Sequence, residues 1–133
     1  MKLLRVGEKG KEKPAILDAD GKIRDISSHI NDLNPDNLNF KTISKIQGAD
    51  ISNLPELSTN ERVGSCITSP GKFVAIGLNY SDHAAEVGAD IPKEPIMFMK
   101  ATSSMCGPND DVEIVSGSKK LDWEVELGIV IGK

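Results

Sequence analysis

The chain has 133 residues, enough for one domain or for a small domain with part of another. Its 38% apolar and 27% charged content is that of a globular protein and excludes a disordered chain. A net charge of −4, a pI near 5.2 and the lack of any Lys/Arg stripe argue against nucleic acid, and no apolar run nears the roughly 18 residues of a membrane span, so no membrane partner is expected.

The start, Met1 to Glu8, has no apolar signal region, so a cytoplasmic location is expected. Residues 2–6 and 14–18 are predicted strands. Ala19-Asp20-Gly21-Lys22 is a turn signal, and Lys22 to Ile26 alternates as a returning strand. Asn31, Asn34, Pro35, Asp36 and Asn37 punctuate the next stretch. A short helix is predicted over Lys41–Gln47, stopped by Gly48. Turn residues at 68–71 precede a change in texture, which places a domain boundary there.

Lys72 to Leu78 is a run expected as a buried strand. Asn79 is placed to cap a helix through Glu86 or Val87, with Asp82 in its first turn and Gly88 as the stop. Ile96 to Lys100 follows Pro95 as a strand, Gly107-Pro108-Asn109-Asp110 as a turn, and Val112–Val115 as a short strand. Cys66 and Cys106 fit no metal or redox spacing, so buried or idle thiols are expected.

The strongest pattern is at Asp122 to Lys133. Trp123, Val125, Leu127, Ile129 and Ile131 share one parity, as on a strand facing a core. Glu124 and Glu126 share the other, about 7 Å apart along such a strand. Either they line a wet acidic face, or a divalent cation offsets their repulsion; the wholly apolar run from Leu127 to Ile131 favours the cation. A central strand rarely closes a domain uncovered, so truncation after Lys133 is expected.

Other candidates are His83 and Glu86, spaced i, i+3 on one helix face. They form an exposed ion pair, or a carboxylate-oriented imidazole acting as general base on water. Lys100, at the end of an apolar strand, either reaches solvent or stabilises a developing oxyanion.

Taken together, Gly77-Leu78-Asn79-Tyr80-Ser81-Asp82-His83-Ala84-Ala85-Glu86, Glu94 to Lys100 and Asp122 to Gly132 resemble the fumarylacetoacetate hydrolase family. The resemblance covers about residues 70–133. It implies a mixed α/β, mainly β architecture: the start of a β-roll catalytic domain at 70–133, preceded by a small N-terminal α/β domain at 1–69. It further implies Mg²⁺ or Mn²⁺ held by Glu124 and Glu126, catalysis by His83, Glu86 and Lys100, a small 2-oxo acid substrate and a homodimer. The implied reaction is hydrolysis of a C–C bond in a 2,4-dioxo acid, of the acylpyruvate or 2,4-diketo-3-deoxy sugar acid type. Ureidoglycolate lyase is an alternative, as is an isomerase or decarboxylase of hydroxymuconate-type diacids. Two positions depart from the family pattern. Leu78 stands where acylpyruvase-like members often have Arg, and the third metal carboxylate, an Asp, is expected after Lys133. A reading of another class therefore also stands: an inactive fragment lacking that ligand.

Overall fold

Alternation of apolar and polar residues in the first 26 positions resolves into three strands in the computed structural model, which describes residues 1–133. They are β1 (Lys2–Val6), β2 (Lys13–Leu17) and β3 (Ile23–Asp25). With β4 (Glu56–Leu57) they form a four-stranded antiparallel sheet in the order β1-β2-β3-β4. Leu3 pairs with Ile16 and Leu4 with Ala15, which fixes the register. The β2–β3 turn is held by Asp18, whose carboxylate accepts from the backbone N–H of Asp20 (2.9 Å) and Lys22 (2.8 Å).

Because strand side chains alternate, the sheet has two apolar faces. One carries Ile16 and packs with Ile26, Ile30, Leu33 and Ile46. The other carries Val6, Ala15 and Ile23, packed by Leu4, Leu17, Leu57 and Val63. Ile46 lies on α1 (Phe40–Gln47), where the Asn39 side chain caps the first turn by accepting from Thr42 N–H (2.9 Å) and Gly48 ends the helix. Each such buried side chain contributes about 2 kcal/mol. The sequence places this helix within a residue of its observed start.

The chain divides into two compact units: Met1–Thr68 with Cys106–Lys133, and Ser69–Met105. In the second, β5 (Val74–Gly77) pairs antiparallel with β6 (Ile96–Met99), and α2 (Ser81–Glu86) lies between them in sequence. Two expectations fail here. The 72–78 run is not buried, since Val74 and Ile76 are exposed; one partner strand and one short helix cannot cover both faces of a strand. Nor does Asn79 cap the helix: Tyr80 occupies that position, without a side-chain cap hydrogen bond.

The predicted strands at 112–115 and 122–132 are also absent. Residues 111–133 have no regular secondary structure and are exposed, Trp123 at 80% and Ile131 at 87%. Alternation encodes which side chains would share a face, but a strand forms only where another strand takes up its backbone N–H and C=O groups. Neither sheet extends to these residues. The architecture is thus mixed and mainly β, as expected, but built of two small sheets.

The segments 62–66 and 106–110 are tied into the first unit. Val6 bridges Val63, and Gly64 N–H donates to Arg5 C=O (2.7 Å). Gly107 lies so close that a Cβ there would collide with the Val63 carbonyl oxygen and sit 3.2 Å from Gly64 Cα. Gly107→Ala is therefore expected to cost about 1–3 kcal/mol, read as a lower urea midpoint. An unchanged midpoint would mean that this close approach does not persist in solution.

Candidate functional site

The 3.6-residue period of α2 puts His83 and Glu86 on adjacent turns of one face, and the structure brings them together. His83 Nδ1 lies 3.4 Å from Glu86 Oε2, with the two side chains 54% and 79% exposed. Ala84, on another side of the same helix, is buried and anchors it. Gly88, at φ +68°, closes the helix, and Ala89 N–H donates back to Ala84 C=O (2.9 Å). An exposed pair of this kind adds little to stability. Its chemical consequence is larger. If Nδ1–H is donated to the carboxylate, Nε2 is left as the basic nitrogen of a neutral imidazole.

Leu78, between β5 and α2, has φ +47°, a left-handed conformation uncommon for a branched residue. Such strain concentrates at functional sites. Here it turns the chain from the strand into the helix that carries the dyad. In the sequence Leu78 stands out only as a departure from a pattern; nothing in the residue type signals its backbone angle.

Lys100 follows β6 directly, and its backbone N–H donates to Phe73 C=O (2.9 Å), extending the β5–β6 pairing. His83, Glu86 and Lys100 all belong to the unit Ser69–Met105. Glu124 and Glu126 belong to the other, on the exposed 111–133 stretch. Two carboxylates at i, i+2 offer hard oxygen donors, which suit Mg²⁺ or Mn²⁺; Mg²⁺ is commonly held by one or two carboxylates with the remaining positions left to water and substrate. No group of three or more His, Cys, Asp and Glu comes together to hold a metal. The donor type therefore fits a hard divalent ion, while the pair is short of a full protein-built set.

The segment that carries all five residues, 72–133, matches the family described as fumarylacetoacetate (FAA) hydrolase C-terminal. Over 132 residues the chain is 56% identical to proteins named "Putative hydrolase" from Burkholderia lata and Burkholderia ambifaria, covering 99% of this chain and 47% of each relative. The chain thus spans about half the length of the curated relatives it matches. Among solved structures it resembles one titled "Crystal structure of a putative HpcE protein from Mycobacterium smegmatis". That likeness has a TM-score of 0.61 and 25% identity, over 89% of this chain and 42% of that one. No helix is long and apolar enough to cross a membrane.

Proposed function

We propose that the chain belongs to the fumarylacetoacetate hydrolase family and acts in hydrolysis of a C–C bond in a 2,4-dioxo acid, of the acylpyruvate or 2,4-diketo-3-deoxy sugar acid type. The observation that carries this reading is the His83–Glu86 pair at 3.4 Å on α2, inside the segment matched to the family. Glu86 accepts the His83 Nδ1–H and fixes the tautomer. Nε2 takes a proton from water, and the water oxygen bonds to the carbonyl carbon farther from the acid group. The C–C bond then breaks, and its electron pair passes to the 2-oxo acid fragment as an enolate. The Lys100 ammonium hydrogen-bonds to the enolate oxygen. The proton on His83 returns to the enolate carbon, leaving two acids. Glu124 and Glu126 are the residues that would hold Mg²⁺ or Mn²⁺, which when bound supplies Lewis acidity at the 2-oxo acid end. The working form is proposed to be a homodimer.

The test is loss of enol absorbance when the protein is mixed with acylpyruvates and Mg²⁺ or Mn²⁺. Turnover that stops in excess chelator and gives two acid products is expected. A single product of unchanged mass would mean isomerisation. No turnover on any 2,4-dioxo acid would sink the hydrolase reading, and equal turnover in chelator would sink the metal.

A further inference from the structure

Cys66 and Cys106 are 40 residues apart in sequence, yet both are exposed, rather than buried, and both line one cavity of about 340 Å³ in the first unit, with Leu3, Leu4, Val63 and Pro108. The chain segments that carry them run in opposite directions past one another. Arg62 meets Asp110 through two hydrogen bonds of 2.6 Å. Val63 and Gly64 meet the backbone of Gly107. Cys66, two residues on from Gly64, and Cys106, one back from Gly107, thus flank the place where the two segments meet, on the same cavity. Closing a disulfide requires the two Cα atoms to come within roughly 4.4–6.8 Å.

The geometry points to Cys66 and Cys106 as a dithiol that closes into an intramolecular disulfide by exchange with a small disulfide. One thiolate attacks a sulfur of the small disulfide and expels one thiolate, giving a mixed disulfide. The second cysteine, as its thiolate, attacks the protein sulfur of that bond and expels the other. The Sγ–Sγ bond forms, two protein thiols give up two electrons and two protons, and the small disulfide leaves as two thiols. The cavity matters because the attacking sulfur must approach along the S–S axis of a molecule that the protein admits. This site is independent of the His83–Glu86 dyad and does not rest on the proposed activity.

The test is incubation of the native chain with oxidised glutathione, an acid quench and peptide mass spectrometry without reductant. The expected product is a Cys66–Cys106 linked peptide, lighter by two hydrogens, formed at least about tenfold faster than in urea because the fold holds the thiols in place. Cys66→Ser and Cys106→Ser are each expected to stop at one glutathione adduct on the remaining thiol. Two separate adducts on the native chain would overturn the proposal. So would links mainly between chains, or equal rates with and without urea.

Discussion

His83→Ala is expected to lower kcat on an acylpyruvate by about 10²–10⁴-fold while leaving Mg²⁺ or Mn²⁺ binding unchanged. The range is that of a positioned general base, and it follows from the proposed division of labour. His83 is on α2, whereas the carboxylates proposed to hold the metal, Glu124 and Glu126, are on the 111–133 stretch. Removing the imidazole removes the proton acceptor but no ligand. Glu86→Gln keeps the shape and loses the negative charge that orients Nδ1–H, so it should reduce kcat less and KM hardly at all. Glu124→Ala is the reciprocal case, with metal binding lost and the helix intact. Stopped assays give kcat, and titration calorimetry gives the metal affinity. A fully active His83→Ala protein would show that the 3.4 Å pair is only a surface ion pair on a short helix.

What the sequence conveyed follows from the range of each interaction. The β1–β3 strands and the turn at Asp18 depend on neighbours a few residues away, so alternation and turn chemistry located them. The His83–Glu86 contact was legible for the same reason, because helix period alone fixes it. The 122–132 stretch shows the limit. Its alternation is as regular as any in the chain, but pairing needs a partner strand, and no strand lies beside it. The cysteines show the opposite error. Their spacing in sequence carried no pattern, and only the meeting of 62–66 with 106–110 puts them on one cavity. The angle at Leu78 is legible from neither periodicity nor residue type.

A buried polar cluster in the first unit was likewise invisible in the sequence, since its bonded partners are up to 50 positions apart. Glu12, with only 6% of its side chain exposed, accepts from Arg5 Nη2 (3.3 Å), Arg62 Nη1 (2.8 Å) and the Gly10 backbone N–H (3.0 Å). Arg5 in turn holds Asp32 at 2.7 and 3.0 Å. Buried side-chain polar atoms all have partners, so the cluster is satisfied as built. Glu12→Ala breaks that balance, leaving two guanidinium groups facing a gap next to buried Gly64. The expected loss is about 3 kcal/mol, because two charge-assisted hydrogen bonds worth about 1.5 kcal/mol each are lost, while Arg5 keeps Asp32 and Arg62 keeps Asp110. In urea that is a midpoint lower by roughly 1–3 M. Lys11→Ala, at an ion pair with Glu8 in which both side chains are more than three-quarters exposed, is the control and should change stability by less than about 1 kcal/mol.

The same cluster sets a direction for pH. Burial pushes the Glu12 carboxyl up, but the hydrogen bond from Arg62 and the charge of Arg5 outweigh it and hold it below its ordinary 4.5. Asp110, hydrogen-bonded by Arg62 and by the Gly107 N–H, is pulled down from 3.8 to about 2. Acids whose pKa is lower folded than unfolded bind fewer protons in the native state, so their contribution is complete above about 4.5 and is lost as pH falls towards 2. The urea midpoint should therefore be level from pH 7 to 5 and drop between about pH 4 and 2. Glu12→Gln should drop less over that window, since one of the lowered acids is gone, and what remains follows Asp110 together with Asp18, Asp25 and Asp50, which are also held below their ordinary values. A midpoint that falls equally in both proteins would show that the acid sensitivity does not come from Glu12 and remove it as the group that holds Arg5 to Arg62.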